Sequence, residues 1–231
     1  MKKVLISAVI CFLSTQIGTA QSECSKYYPL EDGASFQYTS YNGKGKLQGK
    51  TDYTVTNVSD SGGKTSATME MKYQDHKGKE VMSSEYGFTC EGDVVKIDFQ
   101  SLMNQQMMQQ FAAVEIDVTG TDIELPNNLT VGQELADANV KIAADMGGMT
   151  MNMNVETINR KVEKKEKVSS PVGDFDCYVI YSENKTKMAM MGNKVFPSRI
   201  WLAEGIGMVK QESYNQKGKL TNSMVLTKLE K

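Results

Sequence analysis

Between Lys64 and Tyr73 the chain alternates without a break: Thr65, Ala67, Met69, Met71 and Tyr73 stand against Lys64, Ser66, Thr68, Glu70 and Lys72. Successive side chains of a strand point to opposite faces, so this order predicts a strand with one dry face and one wet one. Met82, Ser84, Tyr86, Phe88 and Cys90 repeat the pattern more weakly. So do Val95, Ile97 and Phe99, and then Val114, Ile116 and Val118. Strands wet on one side only belong to antiparallel sheets, so the expected fold class is mainly β and antiparallel.

The links between strands agree. Tyr41-Asn42-Gly43-Lys44-Gly45-Lys46-Leu47 returns as Tyr214-Asn215-Gln216-Lys217-Gly218-Lys219-Leu220, and a third version runs from Tyr73 through Lys77-Gly78-Lys79 to Val81. Each places a glycine, which tolerates positive φ, inside a short polar turn between strands. An ancient duplication and convergent turn chemistry both account for the likeness. One stretch departs from the strand pattern. Ser101 to Ala113 is rich in Gln and Met, lacks Gly and Pro, and sets Leu102, Met107, Met108 and Phe111 within one helical sector. That predicts one helix, over 101–113, bridging two groups of strands.

The first twenty residues read as a secretory signal. Lys2 and Lys3 precede an apolar run, Val4 to Leu13, that is too short to span a bilayer, and Gly18-Thr19-Ala20 offers the small residues of a cleavage site. Cys11 follows Ile10 and Cys24 follows Glu23, so neither has the small neighbour of a lipid-modified cysteine. The expected product is a soluble chain, 21–231, exported to the periplasm or beyond and not membrane-spanning. It would form a single antiparallel β domain, with a seam between lobes near 120–130, where Pro126 falls. Removing Lys2 and Lys3 from the 26 basic residues leaves 24 against 28 acidic ones. The longest basic stretch, Arg160 to Lys167, also contains Glu163 and Glu166 and reads as a solvated strand face. On sequence alone, nucleic acid and anionic membrane surfaces are therefore poor partners.

Catalytic motifs are scarce. His76 is the only histidine and sits in a polar turn, and no nucleophile elbow, phosphate loop or dinucleotide fingerprint occurs. Asp174 and Asp176 form an acidic pair of the sort a carboxylate-dependent hydrolase uses, but such pairs are common near turns. No cofactor or metal is expected. Methionine clusters could attract Cu(I) through thioether sulfur. Met149, Met151 and Met153, however, alternate with Thr150, Asn152 and Asn154, which makes them filler on one strand face. Of the mature cysteines, Cys177 lies in the apolar run Phe175 to Tyr181 and is expected to be a buried free thiol. Cys24 and Cys90, in polar settings near strand ends, are the better disulfide pair.

Three blocks carry a resemblance to a known family: CSKYYPLEDGASFQY at the start of the mature chain, VSSPVGDFDCYVIY (Val168 to Tyr181) and RIWLAEGIGMVKQESYNQKGKL (Arg199 to Leu220). With them the chain resembles the TapB-like family of secreted bacterial proteins. The resemblance implies an antiparallel β architecture curved into a half-barrel, and it implies no activity. A strongly curved sheet capped by one helix would leave a concave apolar face for a lipid, another hydrophobic ligand or an envelope protein partner. Trp201, Phe196, Met149, Met151, Met153, Met107 and Phe111 are the candidate lining residues. A non-catalytic envelope binding protein is the leading expectation, with a periplasmic hydrolase or a purely structural surface protein as alternatives. Intact-mass analysis of exported material should show a chain beginning at Gln21 with no lipid adduct; a mass retaining Met1 to Ala20 would contradict the signal reading.

Overall fold

The structure is a computed structural model that describes residues 24–102, 116–145, 150–188 and 192–231. Its strands are β1 (Ser35–Asn42), β2 (Leu47–Ser61), β3 (Lys64–Asp75), β4 (Glu80–Glu91), β5 (Val94–Ile97), β6 (Ile116–Thr121) and β7 (Ile123–Pro126). They continue as β8 (Ala138–Asp145), β9 (Thr150–Ser170), β10 (Gly173–Met188), β11 (Gly192–Ala203), β12 (Gly207–Tyr214) and β13 (Leu220–Glu230). All join one antiparallel sheet in the order β6-β8-β9-β10-β11-β12-β13-β1-β2-β3-β4-β5-β7. The expected alternating runs fall on β3, β4 and β5, and Ile116 and Val118 fall on β6.

The two ends of this sheet, β6 and β7, are neighbours in the chain, with only Asp122 between them. Laid flat, thirteen strands would span about 58 Å. The Cα atoms of Thr121 and Ile123 can be no more than about 7 Å apart. The sheet must therefore curl until its ends meet, which takes it past the expected half-barrel to a nearly closed barrel. In effect one extended run closes it: Ile116–Thr121 pairs with β8, and Ile123–Pro126 pairs with β5.

Side chains reinforce that junction. Arg160 on β9 reaches across it, and its guanidinium donates to the carbonyl oxygens of Glu124 on β7 (3.1 Å) and of Ala136 (2.5 Å). Its burial lowers the guanidinium's proton affinity, the cost of holding a charge away from water. The Asp122 carboxylate accepts from the Phe99 amide at 3.1 Å. Phe99 in turn lies over Gly120, where a Cβ would sit 2.7 Å from its ring. The reading of Arg160 to Lys167 as a solvated face is corrected at its start: Arg160 and Val162 are buried, 6 % and 0 % exposed. A bulge at Asn159, which takes φ 53°, turns both inward, and no alternation pattern anticipates that extra residue.

The interior is filled along most of the barrel. Phe36, Tyr38, Val55, Met69, Phe88, Val162, Ile180, Leu202 and Leu226 form one cluster, and Val140, Ile142, Ala144, Met153 and Val155 another. The segment before β1 plugs one end with Tyr27 and Leu30, and the Cys24–Cys90 disulfide ties it to β4. A closed loop with a separation of 66 residues is worth about 4 kcal/mol in the chain-entropy model. Cys177 is free and buried, and burial pushes its thiol up to about 11. Of the helix expected over 101–113, Ser101 and Leu102 close a short 3-10 turn, Phe99–Leu102, and the rest lies outside the described residues.

The junction makes a direct prediction. Arg160→Ala strips both carbonyls of their charged donor and should cost about 2–4 kcal/mol, read as a lowered urea midpoint; a loss below about 0.5 kcal/mol, the range of ordinary surface changes, would show that the guanidinium does not hold the barrel closed.

Candidate functional site

Strand alternation and the segment before β1 bring six aromatic rings to one stretch of the interior. Phe36 and Tyr38 come from β1, Tyr53 from β2, Tyr86 and Phe88 from β4, and Tyr28 from the segment before β1. With Met69, Ile97, Ser101, Met208 and Gln211 they surround a partly open cavity of about 170 Å³. Two ring pairs meet edge to face, Tyr28 and Phe88 with centroids 5.3 Å apart at 62° and Tyr38 and Tyr53 5.6 Å apart at 81°, while Tyr86 and Phe88 are tilted at 33°. Such contacts add about 0.5–1.5 kcal/mol each beyond their burial and hold the wall rigid. Cavities of about 150 Å³ with apolar walls take up a benzene-sized ring.

Polar atoms punctuate this wall. Tyr38 donates from its hydroxyl to the Met208 carbonyl at 2.8 Å. The hydroxyls of Tyr28, Tyr53 and Tyr86 have no hydrogen-bond partner among the described residues, and the buried Ser101 hydroxyl has none either. Burial, joined for Tyr28, Tyr38 and Tyr86 by the proximity of other phenols, raises the proton affinity of all four tyrosines. Tyr28 and Tyr53 are pushed up to about 12, and Tyr38 and Tyr86 stand well above their usual value. They remain neutral donors at any physiological pH. The cavity therefore offers an apolar wall together with several hydroxyls able to bond a guest. Two other hollows, of about 500 and 510 Å³, are lined mainly by polar and charged groups such as Lys26, Asp93, Asn127, Glu134 and Asp137.

Of the residues expected to line a binding face, Trp201, Phe196 and Met153 have side chains among the described residues, and these three do not line this cavity. Trp201 sits on the opposite, outer face of the sheet, 5 % exposed, packed with Cys177, Val179, Ala203 and Val209. Its indole reaches over β10 to donate from Nε1 to Glu166 Oε1 at 2.6 Å, and the Lys210 ammonium lies 4.6 Å from the ring centroid. Phe196 pairs with Asn184 five positions earlier on β11, so strict alternation sends it to the other face, 38 % exposed. Met153 is buried in the second core cluster. Met107, Phe111 and Met149 lie outside the described residues; Met151 lies on β9, its side chain outside them. A signal for the cavity wall was present in the sequence: Tyr86 and Phe88 share a face, as do Phe36 and Tyr38, and tyrosine is the aromatic that places a hydroxyl on an apolar wall.

The same outer face carries a chain of charge contacts. Arg199 binds Glu163 through two nitrogens, at 2.6 and 3.0 Å, and lies between the rings of Tyr181 and Tyr214, 5.4 Å from each centroid. Tyr214 donates to Glu212, which pairs with Lys210. These groups satisfy one another, so the face reads as braced.

Comparison with known proteins matches this architecture. A protein of Bacteroides fragilis, named as a proposed exported protein with a YmcC-like fold, superposes with a TM-score of 0.75 at 19 % identity. The match covers 90 % of this chain and 100 % of that one. A protein of Parabacteroides distasonis, named as a proposed lipoprotein, gives 0.73 at 20 % identity with the same coverage. At these identities the likeness establishes a shared fold. No curated protein matches the sequence. The model of the DUF3108-like family matches residues 31–226, from the plug before β1 to the last strand; it does not carry the TapB-like name, and the chain belongs to the DUF3108-like family.

Proposed function

We propose that this is a non-catalytic exported protein of the cell envelope that holds a small hydrophobic ligand inside its barrel. The observation that carries the reading is the aromatic cavity, whose wall presents tyrosine hydroxyls without partners among the described residues. The Ser101 hydroxyl, buried in this wall without a partner among the described residues, costs free energy that a guest bearing an acceptor would recover. The described lining residues are aromatic, aliphatic or neutral and polar, a set suited to retention more than to proton transfer. The TapB-like resemblance supports the same envelope setting, as do the names of the two structural neighbours.

Two measurements bear on this. Native mass spectrometry of the mature protein purified from its own envelope should show a non-covalent hydrophobic adduct. Gln211→Trp, which fills the cavity, should abolish it. Trp201→Ala, on the outer face, should cost about 3–5 kcal/mol of stability and leave the adduct in place. A wild-type chain that carries no adduct and takes up no aromatic or short acyl probe would end the reading.

The tyrosines also tie stability to alkaline pH. In the unfolded chain a phenol ionises near 10, whereas folded Tyr28 and Tyr53 keep their protons until about 12. The unfolded state therefore sheds protons first, and stability that is complete below pH 10 falls as pH rises towards 12. Tm measured across that window should drop, with tyrosinate absorbance appearing as the fold is lost. Tyr53→Phe should flatten the drop; an unchanged alkaline slope in that variant would show that Tyr53 is not held in the neutral form.

A further inference from the structure

Three turns of like sequence meet at one end of the barrel. In each, the side-chain oxygen of an Asn or Asp accepts from two backbone amides: Asn42 from Lys44 (2.9 Å) and Lys46 (3.0 Å), Asp75 from Lys77 (2.8 Å) and Lys79 (3.0 Å), and Asn215 from Lys217 and Lys219 (both 3.0 Å). The glycine two residues before the close of each turn takes positive φ: 76° at Gly45, 80° at Gly78 and 73° at Gly218. These turns join β1 to β2, β3 to β4, and β12 to β13. The sheet runs β12-β13-β1-β2-β3-β4 with every pair antiparallel, so the three hairpins stand side by side and turn at the same rim. The Gly43 amide donates to the Thr221 carbonyl at 2.8 Å, joining the first hairpin to the third. Neighbouring turns are about 10 Å apart, two strand spacings.

The rim thus gathers Lys44, Lys46, Lys77, Lys79, Lys217 and Lys219, all exposed. None of them is in an ion pair among the described residues, although Lys164, Lys185, Arg199 and Lys210 are. Acidic groups in the turns and at their edges are fewer: Asp75, whose carboxylate the two amides hold below the usual range, and Glu80. Directly beside two of the turns stand Leu47 and Val81, 37 % and 42 % exposed, two of the four large apolar residues that the described surface exposes.

We propose that this rim is a docking surface for a membrane leaflet bearing anionic lipid headgroups. Ammonium groups at the tips of adjacent turns face a plane of phosphates, and Leu47 and Val81 enter the boundary beneath them. The exposed apolar pair favours lipid over a soluble polyanion, which would use the lysines alone. The proposal is independent of the cavity, since it rests on other residues at the sheet's end.

The test is co-sedimentation of the mature full chain with vesicles of phosphatidylcholine alone or of equal parts phosphatidylcholine and phosphatidylglycerol. Binding should require phosphatidylglycerol and weaken with added salt. A chain with Lys44→Gln, Lys46→Gln, Lys217→Gln and Lys219→Gln should lose about fivefold in affinity for each lysine removed. The turn bonds use backbone amides, so these changes leave the hairpins intact, which an unchanged Tm will verify. Lys64→Gln with Lys141→Gln, away from the rim, should bind as the wild type does, and Leu47→Ser should bind less. Equal binding to both vesicles, or a quadruple variant that binds unchanged, overturns the proposal. So does binding to a soluble polyanion such as polyphosphate with none to vesicles, which would assign the rim to a polymer.

Discussion

The barrel depends on a covalent constraint: a single residue, Asp122, connects the two strands at opposite ends of the sheet. A thirteen-stranded antiparallel sheet has no intrinsic reason to close, and its right-handed twist alone would leave two edges open to other chains. Placing the end strands next to each other in the chain removes that freedom. Once they meet, the interior needs a plug at the end where the chain begins, which Tyr27 and Leu30 provide behind the Cys24–Cys90 bridge. The junction also needs donors for backbone carbonyls that no neighbouring strand serves, and Arg160 is buried to supply them.

Closure separates the molecule's two apolar surfaces. The concave face becomes the core and, where the aromatic rings stand apart, a cavity. The convex face keeps a smaller patch, and Trp201 covers it, clamped between Glu166 and Lys210. An apolar residue on a strand can serve either surface, and one position decides which. Trp201 and Leu202 are adjacent, both buried, and packed in different clusters on opposite faces. This is the physical reason that Trp201 and Phe196, near each other in the chain, do not share a site.

Much of the fold was legible because period-two alternation reports a local requirement. The strands at Lys64–Asp75 and Glu80–Glu91 announce themselves through it, and the Gly-Lys turns between strands follow from the positive φ that those positions take. The cysteine pair was legible from its polar surroundings. Arg160 was not, because a bulge at Asn159 shifts the phase of β9 and carries a charged residue inside. The cavity was legible only in fragments. Its rings come from three strands and a plug, and alternation shows that each faces inward without showing that they stop short of filling the space.

The sequence by itself determined that the chain is antiparallel β, where many of its strands run and which turns link them, since each depends on residues a few positions apart. Tertiary structure decided which inward residues pack and which line a cavity, because that depends on how far the closed sheet holds opposing side chains apart. It also decided the charge of the surface. The lysines at 44–46, 77–79 and 217–219 are dilute along an acidic chain, and no stretch of sequence holds enough of them to suggest an anionic partner. Antiparallel order sets their three hairpins side by side, and electrostatic potential sums over distance in space, not over separation along the chain.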